Sequence, residues 1–228
     1  MFVYGICIGT EKKYDSFAHP GLQKYAAGSP VILRRGQTSI FTAYNSILDE
    51  VEGMGEDVEG LVLLHEDVEL TESIEETLSL ELADESVAVV GAIGGKGVRS
   101  VRWSRSEETY GYAPDTFYGL NDHGRGAHDV DMVDGLLLAL SPWAIKNLRF
   151  DASTFSGFHA YDADISMQAR SRGKRVRVAE LGLMHHTKGG FGDVKTHRDA
   201  DDVFRKKWGI PRDSFAYRLR KRIKNLEY

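Results

Sequence analysis

Three residues that can hold a proton or a metal ion follow a short apolar run near the first third of the chain. The run covers residues 61–64, and His65, Glu66 and Asp67 come directly after it. Four apolar residues in succession are typical of a strand buried on both faces of a parallel sheet. Ligands of open α/β sheets bind at the carboxyl ends of the strands, where Mg²⁺ and Mn²⁺ favour carboxylates and substrate phosphates. The pattern therefore indicates a cation and phosphate site. The alternative is an acidic loop, since residues 49–86 carry fifteen Asp and Glu and no Lys or Arg.

A second group of candidate residues lies in the last third of the chain. Asp162 and Asp164 stand at the start of a predicted helix, with Asp162 expected at or near the N-cap. Both can serve as capping residues, but a carboxylate at a helix start in a pocket can also take a proton from a hydroxyl nucleophile. Further on, His185 and His186 end a predicted strand and precede glycines. Imidazole is a common metal ligand, so this pair is a candidate for metal binding if it lies close to Asp67.

Further polar residues lie in or after predicted strands. Asp134 interrupts an apolar run over residues 130–140, and an acid buried there needs partners, which makes it a candidate for holding a ligand hydroxyl. Arg34 and Arg35 end the second predicted strand, which is consistent with diphosphate or base contacts and equally with solvent. Aromatic residues within residues 97–125 could stack on a sugar or a base, or pin an irregular loop or short hairpin to the core.

The elements that would position these residues alternate between strands and helices. Such alternation predicts a parallel sheet with right-handed crossovers. Glycines after the fourth strand match neither the Walker spacing nor the dinucleotide fingerprint, which argues against a P-loop ATPase. The predicted strands cover residues 2–8, 30–33, 61–64, 87–93, 130–140, 175–179 and 181–184. The predicted helices cover residues 16–26 with an interruption at Pro20, 40–51, 72–83, a stretch from residue 162 to the stop at Gly173, 197–208, and a basic segment from residue 212.

Length and composition favour one large α/β domain with a substantial core. The chain has 228 residues, of which 42% are hydrophobic, and its net charge is -5. A stretch of roughly 18 apolar residues is absent, and the first strand lacks the features of a signal peptide. The expectation is a soluble protein in the cytoplasm of a bacterium or of a phage-infected host. Cys7 is the single cysteine, so a disulfide framework and a thiolate zinc cluster are excluded.

Positive charge is concentrated at the end of the chain. Residues 195–228 hold eleven Lys and Arg against five acidic residues. Such a segment can contact a membrane surface, nucleic acid or an acidic partner, although a solvated helix face is the more common reading. We therefore expect a main domain over residues 1–195 and a basic helical extension over residues 196–228, packed on that domain or trailing from it.

The order and spacing of these segments resemble the glycosyltransferases of the GT-A fold, in the bacterial and phage branch of the family-two-like enzymes. The resemblance covers residues 2 to about 190. His65-Glu66-Asp67 is similar to that family's metal motif, Val133-Asp134-Gly135 to its acceptor-side strand, and Ala43-Tyr44-Asn45 to an "AYN" near the donor. Residues 148–151 and 158–164 resemble its "FDE…GFHFYDxD" segment. The resemblance implies an α/β nucleotide-diphospho-sugar transferase fold, with a central, mostly parallel sheet flanked by helices.

That resemblance also implies an activity and a site. Asp67 and His185 would hold Mn²⁺ or Mg²⁺ against the diphosphate of a UDP- or GDP-linked sugar, and Asp162 would be the catalytic base of an inverting transfer. Asp164 would position Asp162 or the acceptor hydroxyl. The acceptor-side residues would be Asp134, Gly135 and Tyr161. The donor-binding residues would be Gly9, Thr10, Glu11, Arg35, Asn45, His65, Glu66 and Trp103.

Departures from the family pattern leave alternatives open. His65 replaces the usual first Asp of the metal motif, so the dependence of the activity on a metal stays open. Arginines replace an acid at the end of the second strand, so the preference for the donor's nucleobase stays open as well. A non-catalytic module with this fold is one rival. A sugar-phosphate nucleotidyltransferase is another, but residues 9–13 are a poor version of the basic glycine loop that it needs. The acceptor could be a glycan, a lipid-linked sugar, a protein or modified DNA.

Overall fold

Twelve strands and seven α-helices form the described part of the protein, a computed structural model covering residues 1–55, 57–189 and 193–212. The strands are β1 (Phe2–Ile8), β2 (Val31–Arg35), β3 (Gly60–His65), β4 (Val68–Leu70), β5 (Val87–Gly91), β6 (Ile93–Lys96), β7 (Glu108–Gly111), β8 (His128–Val130), β9 (Met132–Val133), β10 (Leu137–Leu140), β11 (Arg175–Val178) and β12 (Leu183–His185). The helices are α1 (Glu11–Lys13), α2 (His19–Tyr25), α3 (Ile40–Glu52), α4 (Glu75–Leu82), α5 (Pro142–Asn147), α6 (Tyr161–Ser171) and α7 (Val194–Trp208).

A seven-stranded sheet lies at the centre, in the order β2-β1-β3-β10-β5-β11-β8. Five of its strands run in one direction, while β10 and β8 run antiparallel to their neighbours. Every residue of β5 is buried, as are the first five residues of β3, because helices cover both faces of the sheet. One core cluster packs α3, α5, α6 and α7 against the sheet, and a second packs α2 and α4 on the other face. The predicted α/β class with a mostly parallel sheet is confirmed.

The first helical region differs from the prediction. It starts at residue 11 and continues to residue 25 through a π-helical turn at Tyr14–Ala18, without the break expected at Pro20. The wider π turn precedes the proline, which stands in the first turn of α2, where a missing N–H is tolerated. The earlier start brings Lys13 to the carboxyl edge of the sheet.

The predicted strand over residues 130–140 is wrong, because three short strands replace it. β8 and β10 belong to the large sheet, whereas β9 joins β6 and β7 in a separate three-stranded sheet. Asp134 and Gly135 therefore lie in the turn before β10, and the Asp134 N–H donates to the Ile93 carbonyl at 2.8 Å. The turn exposes polar groups to a cavity, whereas a continuous strand would have buried those groups. The expected short hairpin in residues 97–125 corresponds to the antiparallel β6 and β7 pair, with a 3₁₀ turn at Trp103–Arg105.

The last described helix packs on the domain. Phe204 of α7 is fully buried, and Lys207 and Trp208 contact Asp164 of α6. The predicted basic helix from residue 212 lies almost entirely outside the described residues, so the division of the chain at residue 195 stays a prediction. In the described ranges, every helix is too short or too polar to cross a bilayer.

Candidate active site

His65, Asp67 and His185 converge at the carboxyl edge of the sheet. β3 ends at His65, and Asp67 stands in the turn that follows. Next, β4 pairs antiparallel with β12 in a register that sets His185 opposite Val68. One possible ligand atom from each of the three residues lies within 4.8 Å of the others, and His185 Nε2 is 3.4 Å from Asp67 Oδ1. The sequence prediction that His185 lies close to Asp67 is therefore confirmed as geometry.

A buried carboxylate sets the orientation of His185. Its Nδ1 is 2.9 Å from Asp115 Oδ2, and the other oxygen of Asp115 accepts the N–H groups of Phe117 and Tyr118. In the neutral ring, the Nδ1 proton is donated to Asp115, so the Nε2 lone pair faces Asp67. Metal-bound histidines are commonly held in this way by a carboxylate on the second nitrogen.

His65 is held by a second chain of hydrogen bonds. Its Nε2 is 2.5 Å from the Tyr161 hydroxyl, and that hydroxyl donates to the Gly135 carbonyl at 3.1 Å. Since the hydroxyl proton is used, Nε2 of His65 is the donor, and Nδ1 keeps a lone pair. Burial lowers the pKa of His65, which favours this neutral form. His65 thus keeps one unprotonated nitrogen. Burial alone would lower the pKa of His185, but the hydrogen bond to Asp67 and the nearby carboxylate charges raise it, so a cation bound at Nε2 would displace a proton.

The donor set fits a divalent cation. Two imidazole nitrogens and one carboxylate suit a first-row transition-metal ion better than Mg²⁺, whose preferred ligands are oxygens. Burial by itself would raise the pKa of Asp67, but the hydrogen bonds from His185 and Lys13 outweigh burial and hold that pKa well below its usual range. Lys13 Nζ is 2.7 Å from Asp67 Oδ2, so one carboxylate oxygen is neutralised by an ammonium group and the other faces His185.

His65 and Asp67 line an open hollow of about 240 Å³. Its walls include Gly9, Lys13, Ile40 and Phe158. We call it the metal-side hollow. Because it opens at the carboxyl ends of β1 and β3, it lies where ligands of α/β sheets usually bind.

Glu66 shapes the rim of the metal-side hollow. Its carboxylate accepts the Gly9 N–H at 2.5 Å and the Thr10 N–H at 2.8 Å, which ties the end of β3 to the end of β1. Arg35 and Glu11 form an ion pair at 2.5 Å, with about half of each side chain exposed. The predicted donor residues of this region therefore lie on one edge, and of all the predicted donor residues Gly9, His65 and Glu66 line the hollow itself.

A second cavity, of about 170 Å³, contains Asp162. Asp162 is the second residue of α6, and the N-cap is Ala160, a non-glycine residue in the left-handed region at φ 73°. Asp162 therefore lies near the N-cap, as predicted, although it is not the N-cap residue itself. Its carboxylate instead accepts the N–H groups of Gly135 at 3.0 Å and Ala163 at 2.9 Å. We call this space the base cavity.

The environment of Asp162 prepares it for proton transfer. Burial and the nearby negative charge of Asp134 raise the pKa of Asp162 to about 7. The hydrogen bonds from the Gly135 and Ala163 N–H groups act in the opposite direction, but their effect is smaller. Asp134 is itself held by Trp103 Nε1 at 2.5 Å and by the Leu136 N–H at 2.9 Å. A carboxylate with a pKa near neutrality is well suited to act as a general base.

The two spaces are adjacent, since His65, Phe158 and Tyr161 line both. The predicted acceptor-side residues Asp134, Gly135 and Tyr161 all line the base cavity. Trp103, predicted on the donor side, also lines the base cavity and is bonded to Asp134. A ligand that spans the shared wall can therefore touch the metal ligands and the carboxylate of Asp162.

Two predicted site residues lie elsewhere. Asn45 exchanges two hydrogen bonds of 2.8 Å with the backbone of Phe150, so it joins α3 to the loop before α6. Asp164 is buried among Gln168, Lys207 and Trp208 and anchors α7. Two residues apart on a helix, Asp162 and Asp164 point in nearly opposite directions, so only one can face the cavity.

Several residues of the site carry no clear local sequence signal. Lys13 lies in residues 9–13, whose sequence indicated only a poor version of the basic glycine loop of a nucleotidyltransferase. Asp115 reaches His185 through an isolated bridge between distant segments. Phe158 and His159 belong to the segment resembling the family motif, yet only the structure shows that they line the base cavity.

Comparisons with known proteins identify the family of the chain. Residues 27–206 match the model of a family described as "Glycosyltransferase like family". The streptomycin biosynthesis protein StrF of Streptomyces griseus is 34% identical over 201 residues, which cover 87% of this chain and 71% of that protein.

Solved structures share the fold at low sequence identity. A197 from STIV has a TM-score of 0.50 at 13% identity, covering 80% of this chain and 82% of that one. A glycosyltransferase involved in the glycosylation of the major capsid of PBCV-1 has a TM-score of 0.49 at 9% identity, covering 88% and 98% of the two chains, and no shared function follows from similarity at that level. On the evidence of the family model and the StrF similarity, the chain belongs to the glycosyltransferase-like family, with a GT-A-like fold.

Proposed function

We propose that this protein transfers a sugar from a nucleoside-diphosphate sugar, UDP- or GDP-linked, to an acceptor hydroxyl with inversion at the anomeric carbon. The observation that carries the proposal is the adjacency of the metal-side hollow and the base cavity across His65 and Tyr161. One space offers ligands for a cation and a diphosphate, and the other offers a carboxylate with a pKa near 7. A sugar at the shared wall would have its leaving group and its nucleophile on opposite sides, as inversion requires.

Each group has a defined part in the step. The acceptor oxygen bonds to the anomeric carbon, the bond from that carbon to the diphosphate oxygen breaks, and the acceptor proton passes to Asp162. His65, Asp67 and His185 would hold Mn²⁺ or Mg²⁺, which would neutralise charge developing on the leaving nucleoside diphosphate. The hydrogen bond from Trp103 fixes the position of Asp134 on the acceptor side. The negative charge of Asp134 raises the pKa of Asp162 and so makes Asp162 a stronger base. The base contributes about 10² to 10⁴ in rate.

The test is a panel of nucleotide sugars, with and without Mn²⁺, scored for slow hydrolysis and for transfer to simple acceptors. Asp162→Asn should reduce turnover by about 10² to 10⁴ while leaving Mn²⁺-dependent UDP or GDP binding within about threefold of the original. Asp84→Asn is the matched control, because Asp84 is exposed and precedes β5 at the opposite edge of the sheet. It should leave both quantities unchanged.

The outcomes separate the alternatives. Nucleotide binding without hydrolysis or transfer under any condition would favour a sugar-binding module. Release of pyrophosphate from a nucleoside triphosphate and a sugar phosphate would favour a nucleotidyltransferase. Retained turnover in Asp162→Asn with lost nucleotide binding would contradict the role of Asp162 as the base.

A further inference from the structure

Lys13 brings a positive charge into the metal-side hollow. Among the described residues that line this space, it is the one lysine or arginine. Its ammonium group is 2.7 Å from Asp67 Oδ2, and 34% of its side chain is exposed, against 9% of the Asp67 side chain. The neighbouring Lys12 is exposed and does not line the hollow. Lys13 is therefore the side chain that can offer positive charge to an anion bound in this space.

The present partner of Lys13 is also a candidate metal ligand. The other oxygen of Asp67, Oδ1, is 3.4 Å from His185 Nε2, and His65 completes the group of three. Once these residues hold a divalent ion, the carboxylate of Asp67 is shared between two positive charges, which repel each other. Loading the site therefore weakens the ion pair between Lys13 and Asp67.

The backbone at the end of β1 is already engaged. In dinucleotide-binding sheets, the N–H groups that follow the first strand bind phosphate. Here the N–H groups of Gly9 and Thr10 both donate to the carboxylate of Glu66. That carboxylate, the other acid in the lining of the hollow, thus has partners of its own. A diphosphate in the hollow consequently depends on side chains for its positive partners.

Lys13 has the mobility to change partners. Its N–H donates to the Thr10 carbonyl at 3.0 Å, which fixes the backbone of α1 beside the hollow. Its four-carbon stem is flexible, and its ammonium group carries three hydrogen-bond donors. Lysine binds phosphate as a compact point charge, so rotation of the stem is enough to exchange a carboxylate for a phosphate.

The charges of such a complex balance when Lys13 takes part. Each phosphate of a nucleoside-diphosphate sugar carries one negative charge. A divalent ion and the Asp67 carboxylate together supply one net positive charge, because both histidine ligands are neutral when they bind a metal ion. The ammonium group of Lys13 supplies the second. Without it, the hollow would hold a diphosphate with one charge unmatched.

From this arrangement we infer that Lys13 exchanges partners: it pairs with Asp67 in the metal-free protein and binds the donor diphosphate once Asp67 holds a cation. The inference rests on the proposed glycosyl transfer and adds a donor-binding residue to it. It also makes the binding of metal and nucleotide cooperative, since occupation of Asp67 by the cation releases the ammonium group that the nucleotide needs.

The first test is calorimetric titration of UDP and GDP into protein saturated with Mn²⁺. Lys13→Met should lower the affinity for the preferred nucleotide about tenfold, since one charge-assisted contact is lost. Lys13→Arg keeps a positive charge at the same place and should stay within about threefold of the original protein. Lys12→Met, the matched control, should change nothing. Equal affinity in Lys13→Met and the original protein would overturn the inference.

The second test separates contact with the nucleotide from support of Asp67. It repeats the titration with a chelator present, in Asp67→Asn and in the double variant that also carries Lys13→Met. Asp67→Asn frees the ammonium group without a metal, so it should bind the nucleotide more tightly than the metal-free original protein does. The double variant should lose affinity about tenfold relative to Asp67→Asn, because Lys13 now has no carboxylate to support.

The outcomes distinguish this inference from the proposed function. Equal nucleotide affinity in Asp67→Asn and the double variant would show that Lys13 does not reach the diphosphate, and would overturn the inference while the proposed transfer stands. If the original protein bound neither UDP nor GDP in the presence of Mn²⁺ and hydrolysed no nucleotide sugar, the proposed function would be refuted and the inference with it.

Discussion

Asp162→Asn should change the pH dependence of stability as well as activity. The folded protein holds Asp162 at a pKa of about 7, against an ordinary value of 3.8. Between these values the folded state keeps a proton that the unfolded chain has lost, so the free energy of unfolding falls as pH rises through this window. Above pH 7 the full cost of the buried charge is present. Asparagine has no charge to bury, so this loss should vanish in the variant.

The magnitude follows from the two pKa values. Each pH unit in the window corresponds to about 1.4 kcal/mol, and roughly two units lie between pH 5 and pH 7. The maximum change in the stability difference between variant and original from pH 5 to pH 8 is thus about 3 kcal/mol. Because the Asp162 side chain is partly exposed, solvent screening lowers the expected change to about 2 kcal/mol.

The assay is urea unfolding of metal-free protein, with a chelator present, at pH 5 and pH 8. Asparagine keeps only one of the two acceptor oxygens that bond Gly135 and Ala163, which costs about 1 kcal/mol at both pH values and leaves the difference between them intact. Asp84→Asn is the control, since Asp84 is ionised between pH 5 and pH 8 in both states: hydrogen bonds from Ser86 lower its pKa in the folded protein, and its ordinary pKa of 3.8 applies in the unfolded chain. A change in the stability difference below about 0.5 kcal/mol would show that Asp162 is not held at a raised pKa.

The remaining predictions concern the metal ligands. Lys13→Met removes the ammonium group 2.7 Å from Asp67 and should strengthen the binding of Mn²⁺ alone by about tenfold, as measured by calorimetry. Lys12→Met is the matched control, because Lys12 is exposed. Weaker Mn²⁺ binding in Lys13→Met would mean that Lys13 does not compete with the cation. Asp115→Asn removes the carboxylate that orients His185 and should weaken Mn²⁺ binding by about 10- to 100-fold in the same assay. Unchanged affinity would remove Asp115 from the site.

Local pattern alone determined most of the framework. The apolar runs of β1, β3 and β5 need burial on both faces, and the stripe of α3 needs one buried face, so element type and order follow from spacing in the chain. Polar residues directly after such strands must meet at the carboxyl edge. The rule does not cover His185, because β12 lies outside the central sheet and pairs antiparallel with β4. The family resemblance implied its proximity to Asp67.

Tertiary structure decided which side chains face the site. Asp162 and Asp164 have the same residue type and nearly the same position, but the packing of α6 turns one toward the base cavity and the other toward α7. The contact between Asp115 and His185 and the contact between Lys13 and Asp67 each join segments distant in sequence. Side-chain direction and long-range contact depend on how elements pack against one another, and the periodicity of a single segment carries no record of that packing.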